Sequence, residues 1–174
     1  MLIGIILLSG IPNKLLKAMY PMKYEEHVSK YANEYGIDEF LVYAVIKAES
    51  NFDEKATSSK GAKGIMQLME STAKDVAKKA NIEIAQNEIE EKLLQVETNI
   101  QLGTKYLAIL LEKYENTEVA LTAYNAGIGT VDNWIEKGII SADGSNIENI
   151  PYKETNNYVR QILRDYRIYC ELYK

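Results

Sequence analysis

The stretch that decides the fold is residues 38–69, which read DEFLVYAVIKAESNFDEKATSSKGAKGIMQLM. Asp38 is a good helix N-cap, because its carboxylate can accept a hydrogen bond from a backbone N–H of the first turn. The residues that follow, Glu39 to Ser50, are apolar on nearly every side. Such a helix has no face suited to water. The stretch therefore predicts a central, buried helix followed by a polar loop over residues 51–63.

Helical periodicity continues on both sides of this segment. The predicted helices cover residues 23–35, 71–80 with Ser71 as the cap, 98–114, 117–125, a short helix around Val131 and Trp134, and 155–173. Gly103 lies in the apolar stripe of the 98–114 helix and predicts that another backbone approaches closely there. No alternating run is long enough to predict a strand. The predicted fold class is all-α.

The composition excludes several kinds of active site. The 174 residues suffice for one domain with a sizeable core. Cys170 and His27 are the only cysteine and histidine, so Ser-His-Asp, Cys-His and zinc sites lack their side chains. The net charge of −5, with acids and bases interspersed, argues against a nucleic-acid partner. We expect no metal, no cofactor and a monomer.

Residues 1–20 are expected to form an apolar N-terminal segment ahead of a domain over residues 21–174. Residues 2–9 read LIGIILLS, a run too short to span a bilayer as it stands. The run is typical of the hydrophobic part of a signal peptide or of a shortened membrane anchor, although a charged stretch before it and an Ala-x-Ala site after it are missing. A buried first helix is the alternative. We favour an export or anchor segment, and with it membrane association.

Glu49 is the candidate general acid. It ends the predicted central helix, near the negative pole of the helix dipole and against apolar surface. Both effects disfavour the charged carboxylate and raise the pKa of Glu49. A carboxyl group that stays protonated near neutral pH can act as a general acid. The alternative is a glutamate that only marks where the helix reaches solvent.

The loop after this glutamate predicts a binding surface. Gly61 and Gly64 allow a tight return of the chain. The return would bring Ser58 and Gln67 over the end of the central helix, where hydroxyl and amide groups can bind sugar hydroxyls and acetamido groups. Met69 would add apolar contact, although core filling is the more common role of methionine.

Four stretches carry a family resemblance. They are Glu49-Ser50-x-Phe52 with Gly61-Ala62-x-Gly64-Ile65-Met66-Gln67, residues 99–106 (NIQLGTKY), residues 120–127 (ALTAYNAG) followed by Val131 and Trp134, and residues 150–159 (IPYKETNNYV). In this order they resemble the lytic transglycosylases of the soluble lytic transglycosylase type, in the lysozyme-like superfamily. The resemblance covers residues 23–170.

The resemblance implies a helical lysozyme-like domain with a cleft that binds a glycan strand of peptidoglycan. The implied reaction cleaves the β-1,4 bond between N-acetylmuramic acid and N-acetylglucosamine without water, and the muramic 6-hydroxyl closes on C1 to give a 1,6-anhydro end. Glu49 would protonate the leaving oxygen and then, as a carboxylate, accept the proton of the 6-hydroxyl. The implied location is the cell envelope, outside the cytoplasm.

The residues that would line the cleft follow from motif position. They are Ser58, Gln67, Met69, Ala123, Tyr124, Asn125, Glu154 and Tyr158. Glycosidases normally use two carboxylates, whereas this family uses one, helped by the acetamido group of the substrate. Asp53 is the candidate if a second carboxylate is needed.

Two positions depart from the family pattern. Glu70 stands where proline is usual, and Asn156 stands where arginine is frequent. Both lie at motif edges and concern the detail of the cleft. Two alternative functions remain open, a muramidase that hydrolyses the same bond on the same fold and a non-catalytic peptidoglycan-binding module. An intact Glu49 argues against the second, because a binding module needs no buried acid.

Overall fold

The computed structural model describes residues 13–85 and 87–174. This part of the chain is helical and contains no strand beyond two isolated bridges, so the all-α prediction is confirmed. The helices are α1 (Asn13–Met19), α2 (Glu25–Tyr35), α3 (Glu39–Ser50), α4 (Glu70–Lys79), α5 (Ile89–Lys92), α6 (Val96–Tyr114), α7 (Thr117–Ala126), α8 (Ile128–Glu136) and α9 (Lys153–Tyr173), with a 3₁₀ turn at Ile147–Asn149.

The predicted central helix is α3, and both of its ends lie where the sequence places them. Asp38 caps it by accepting a hydrogen bond from the backbone N–H of Phe40 at 2.9 Å. Seven consecutive residues, Phe40 to Ile46, are buried, which requires neighbours on every side. These neighbours include α9, which packs along α3, and α2.

A second group of helices is built around α6. It packs against α2, α4 and α7, and α7 in turn packs against α9. Residues 119–124 of α7 are all buried, because that helix lies between the two groups. The result is one continuous hydrophobic core that reaches from α2 to α9.

The start of α4 differs from the sequence prediction. The helix begins at Glu70 with Met69 in the N-cap position, and Ser71 lies inside the first turn rather than capping it. The cause lies in the preceding loop, where Lys63 and Leu68 exchange two backbone hydrogen bonds of 2.9 and 3.0 Å. This pairing leaves Met69 extended, and the chain turns into a helix directly after it. Tertiary pairing therefore overrides the local capping preference.

Residues 13–20 pack onto the last helix of the domain. Leu16 and Tyr20 are buried, and the Tyr20 hydroxyl donates to Asp165 at 3.1 Å. The Tyr173 hydroxyl donates to the Tyr20 carbonyl at 2.7 Å. The apolar run at residues 2–9 lies outside the described residues. Among the helices that are described, none combines the length and apolarity that crossing a bilayer requires.

The loop between α3 and α4 is fixed by the buried side chain of Asn99 on α6. Its Oδ1 accepts from the backbone N–H of Met66 at 2.7 Å, and its Nδ2 donates to the carbonyls of Lys63 and Leu93 at 2.9 and 2.7 Å. One buried amide thus satisfies three backbone groups that would otherwise be costly to bury.

Gly103 allows a close approach, and the nearest atoms belong to the side chain of Met66. A Cβ at this position would lie 2.5 Å from Sδ and 2.8 Å from Cβ of Met66. The side chain of Met66 therefore packs directly onto α6, fully buried. The close approach predicted at Gly103 is therefore made by Met66 of the loop, whose side-chain atoms are the nearest.

Substitution of the two loop glycines by alanine should lower the free energy of unfolding by different amounts. Gly61 and Gly64 both have positive φ values, 87° and 78°, which strain any other residue. A Cβ at Gly61 meets open space, whereas one at Gly64 would collide with the Leu93 carbonyl and the Asn99 amide. We expect Gly61→Ala to lower the free energy of unfolding by about 1 kcal/mol and Gly64→Ala by about 2–5 kcal/mol. Urea denaturation of both variants measures the difference, and equal losses would contradict the packing described for Gly64.

Candidate active site

Glu49 lies in the last turn of α3, where the buried helix ends. Asn51 and Phe52 adopt left-handed conformations, with φ of 50° and 67°, and turn the chain away. The Ser50 hydroxyl donates to the Ile65 carbonyl at 2.8 Å and ties the returning loop to the end of the helix. The carboxyl group of Glu49 is therefore presented at the junction of α3 and this loop.

Tyr158 of α9 is the direct partner of Glu49. Its hydroxyl donates to Oε1 of Glu49 at 2.5 Å, across 109 positions of sequence. Both side chains are half-buried. The contact forms because α9 packs along α3, so helix packing sets the orientation of the carboxyl group.

Two further tyrosines stand close to this pair. The Tyr124 hydroxyl donates to the Met66 carbonyl at 3.0 Å, and the ring centroids of Tyr124 and Tyr106 are 5.1 Å apart. Burial, together with the negative charge of Glu49, holds the pKa values of Tyr124 and Tyr158 well above the ordinary tyrosine value. Both hydroxyls therefore keep their protons and act as hydrogen-bond donors.

The surroundings of Glu49 keep its carboxyl group protonated at unusually high pH. Burial raises the pKa of Glu49 from 4.5 to about 7, and the hydrogen bond from Tyr158 opposes the rise in part. The direction is the one that the sequence predicts. No other carboxylate among the described residues contributes to this pKa shift. The group can therefore give up a proton near neutral pH and take one back.

Asp53 lies in the exposed loop that follows α3. Its Oδ1 accepts a hydrogen bond from the backbone N–H of Lys55 at 3.0 Å and so stabilises the loop itself. Among residues 13–85 and 87–174, no three His, Cys, Asp or Glu side chains are grouped as a metal site would require.

Ser58 and Gln67 help to build the loop beside Glu49. The Ser58 hydroxyl accepts from the backbone N–H of Ala62 at 3.0 Å. The side-chain amide of Gln67 donates to the carbonyls of Ala56 and Gly64 at 3.0 and 2.9 Å. The amide oxygen of Gln67 and the hydroxyl proton of Ser58 are not used in these bonds.

The remaining predicted site residues differ in their exposure. Met69 is 41% exposed, whereas Ala123 is fully buried in α7. Asn125 is exposed at the end of α7, and its Oδ1 accepts from the Thr155 hydroxyl of α9 at 2.8 Å. Glu154 is exposed in the first turn of α9. The first turn of α9 and the last turn of α7 are thus joined by one hydrogen bond.

Sequence reasoning did not assign roles to Ser50, Tyr106 and Thr155. Each lies within or at the end of a stretch quoted above and next to, or one helical turn from, a residue with a defined contact. The contacts of these three residues depend on which helices pack together. The only indication of them in the sequence is that the residues lie in these motifs.

Comparison with known proteins identifies the family. Residues 26–143 match the family model described as the transglycosylase SLT domain. The chain is 33% identical over 150 residues to the soluble lytic murein transglycosylase of Salmonella typhimurium, covering 85% of this chain and 23% of that protein. It is 38% identical over 131 residues to the membrane-bound lytic murein transglycosylase C of Edwardsiella ictaluri, covering 70% of this chain and 35% of that protein.

Comparison with solved structures indicates the same family. An inactive glutamate-to-glutamine mutant of lytic transglycosylase Slt from Pseudomonas aeruginosa matches with a TM-score of 0.78 and 32% identity, over 90% of this chain and 25% of that one. The 70 kDa soluble lytic transglycosylase of Escherichia coli matches with a TM-score of 0.76 and 29% identity, over the same shares of the two chains. These matches confirm the lysozyme-like helical fold. The chain spans about a quarter of the length of the first curated relatives that it matches. It belongs to the transglycosylase SLT domain family, as its four motifs predict.

Proposed function

We propose that this protein is a peptidoglycan lytic transglycosylase that cleaves the β-1,4 bond between N-acetylmuramic acid and N-acetylglucosamine. The observation that carries the proposal is the state of Glu49. Its carboxyl group has a pKa of about 7, accepts a hydrogen bond from Tyr158, and has no neighbouring carboxylate among the described residues that alters its pKa. One group placed in this way suits a reaction that needs an acid first and a base afterwards.

The reaction proceeds through two proton transfers at Glu49. The protonated carboxyl group donates to the glycosidic oxygen as the bond from C1 to that oxygen breaks, and the N-acetylglucosamine end leaves as an alcohol. The resulting carboxylate accepts the proton of the muramic 6-hydroxyl as its oxygen bonds to C1. The acetamido group of the substrate assists at C1 between the two steps. Glu49 ends protonated again, and no water is consumed.

Tyr158 and Tyr124 support these transfers in different ways. The Tyr158 hydroxyl fixes the orientation of the Glu49 carboxyl group and stabilises the carboxylate that forms after the first transfer. Tyr124 fixes the Met66 carbonyl and with it the loop beside the acid. The polar groups of Ser58, Gln67, Asn125 and Glu154, with Met69 and the Ala123 backbone, are proposed to bind the glycan.

The names of related proteins support the proposal of lytic transglycosylase activity. Several are named lytic murein transglycosylases, and the Pseudomonas aeruginosa relative is inactive when one glutamate is replaced by glutamine. A related 70 kDa soluble lytic transglycosylase has been solved in complex with bulgecin A. The proposed location is the cell envelope outside the cytoplasm, with residues 1–20 as an export or anchor segment and the protein acting as a monomer.

Glu49→Gln tests the catalytic proposal. We expect cleavage of purified sacculi to fall by at least about a thousandfold, because the amide cannot donate or accept the proton. Mass spectrometry of the released fragments is the measurement, and the wild-type products should carry anhydro ends. Circular dichroism and urea denaturation should show a folded variant, since glutamine can still accept the Tyr158 hydrogen bond.

The same experiment separates the alternatives. Products heavier by one water from the wild type would identify a muramidase. Glycan binding by the wild type with no product after long incubation would identify a binding module. Unchanged release of anhydro fragments by Glu49→Gln would remove this residue from the mechanism.

The raised pKa of Glu49 also predicts a pH-dependent difference in stability between the wild type and Glu49→Gln. Between the ordinary pKa of 4.5 and the folded-state value of about 7, the unfolded carboxyl group loses its proton while the folded one keeps it. The stabilising contribution of the protonated group is therefore complete below the lower value and is lost as the pH rises through the upper one. We expect the wild type to lose about 2 kcal/mol relative to the variant over this range, less than full linkage gives because the side chain is only half-buried. Urea titrations at several pH values measure the difference, and a constant difference would contradict the assigned pKa.

Tyr158→Phe predicts a shift in the pH dependence of kcat/KM. For the wild type, kcat/KM should fall as the pH rises through about 7, because the first step needs protonated Glu49. The Tyr158 hydroxyl stabilises the carboxylate form of Glu49. Its loss should therefore move the fall in kcat/KM to higher pH by up to about one unit. Tyr166→Phe is the matched control, because Tyr166 lies on the same helix and donates to Asp38 instead. If kcat/KM of Tyr158→Phe falls at the same pH as in the wild type, the role given to this hydrogen bond is contradicted.

A further inference from the structure

Arginine is rare in this chain, and its positions are not scattered. The 174 residues contain 17 lysines but only three arginines, Arg160, Arg164 and Arg167. All three lie on α9 and line one cavity of about 460 Å³. Lysine provides the charge everywhere else, so the need for a basic surface does not explain the three arginines. A guanidinium group differs from an ammonium group in its planar fork of donors, which matches a carboxylate or a phosphate.

The cavity lies on the far side of α9 from the catalytic carboxyl group. Arg167 follows Tyr158 by nine residues, which is two and a half helical turns, so the two side chains leave opposite faces of the helix. The wall facing α9 is formed by the 3₁₀ segment at Ile147–Asn149 and the first turn of α7. The cavity is therefore separate from the site at Glu49.

Two of the three guanidinium groups are held in place by neighbouring side chains. Nε of Arg160 donates to Oδ1 of Asn156 at 2.7 Å, and Asn156 donates in turn to the Glu148 carbonyl at 3.1 Å. Arg164 donates through Nε and a terminal nitrogen to the buried carboxylate of Asp165, both at 2.9 Å. The terminal nitrogens of Arg160 are not used in these bonds. Asn156, one of the two departures from the family pattern, thus orients an arginine of the cavity.

The cavity also contains two carboxylates and an apolar floor. Glu118 and Glu148 are among its lining residues, and neither forms an ion pair with an arginine in the described part of the chain. Ile150 and Val159 are buried beneath them, 6% and 3% exposed. Guanidinium groups suit a carboxylate of a ligand, the two glutamates suit an amino group, and the apolar floor suits a short aliphatic part.

We propose that this cavity binds a short peptide with a free carboxylate and a free amino group, and that its source is the stem peptide of peptidoglycan. The guanidinium groups of Arg160 and Arg167 bind the carboxylate, and Glu118 and Glu148 bind the amino group. The identity of the source rests on the proposed function, whereas the chemistry of the ligand does not.

The small number of arginines makes the test direct. The protein has only three arginine Nε–H groups, so a ¹H–¹⁵N spectrum of this region contains three signals. The probe is the tetrapeptide L-Ala-γ-D-Glu-L-Lys-D-Ala, added to the full chain. We expect the Arg160 and Arg167 signals to shift with saturation, and no shift with the same peptide in which every carboxylate is a carboxamide.

Arg160→Gln and Arg167→Gln test the site by substitution. Each should weaken binding of the tetrapeptide about tenfold, the loss expected for one charge-assisted pair. Lys153→Gln is the matched control, because it removes one positive charge from α9 outside the cavity. Shifts caused equally by inorganic phosphate and by the peptide would overturn the peptide assignment, and so would an absence of shifts at millimolar peptide.

Cleavage assays distinguish failure of this inference from failure of the proposed function. The double variant of Arg160 and Arg167 should raise KM several-fold for strands that carry stems and leave kcat unchanged. It should cleave strands stripped of their stems like the wild type. Glu49→Gln should be inactive on both. Equal KM changes on stemmed and stripped strands would overturn the inference without touching the role of Glu49.

Discussion

The burial of α3 is the constraint on which the site depends. Seven consecutive buried residues leave the helix no polar face until its last turn, and Glu49 lies there, between the core and the returning loop. Removal of solvent from its carboxyl group raises the pKa to about 7. A carboxyl group at the end of an exposed helix would ionise near its ordinary value. The same packing that stabilises the domain therefore sets the proton affinity of the acid.

The loop beside the acid has almost no regular structure and is held by side chains from other elements. Four consecutive carbonyls, from Lys63 to Met66, each accept a side-chain donor, from Asn99, Gln67, Ser50 and Tyr124 in turn. Such bonds contribute about 1 kcal/mol each, and a buried carbonyl left without a donor costs more than that. The donors come from α3, α6, α7 and the loop itself, so the loop conformation requires that all of these elements be in place. This explains why a segment with no strand pairing beyond two bridges can position Gln67 and Ser58 reproducibly.

Much of this could be predicted from the sequence, and the limits have physical causes. The apolar run from Glu39 to Ser50, with Asp38 before it, fixes α3 and the direction of the Glu49 pKa shift, since both depend on local composition. The start of α4, by contrast, depends on backbone pairing between Lys63 and Leu68, and the preference of Ser71 for a cap position could not show it. The cavity on α9 was also not predicted. Three arginines on one helical face are visible in the sequence, but the carboxylates opposite them come from segments that only the fold brings near.

Helix α9 connects these features because it carries a different contact on each face. Tyr158 and Thr155 point to the side of Glu49, where they form hydrogen bonds with Glu49 and Asn125. Asp165 and Tyr173 hold residues 13–20 through Tyr20. The arginines occupy the face opposite Tyr158. These contacts lie on one continuous helix of 21 residues, so the rise of 1.5 Å per residue sets their spacing along it. The packing of α9 against α3 therefore determines both the partner of Glu49 and the side of the domain on which the three arginines lie.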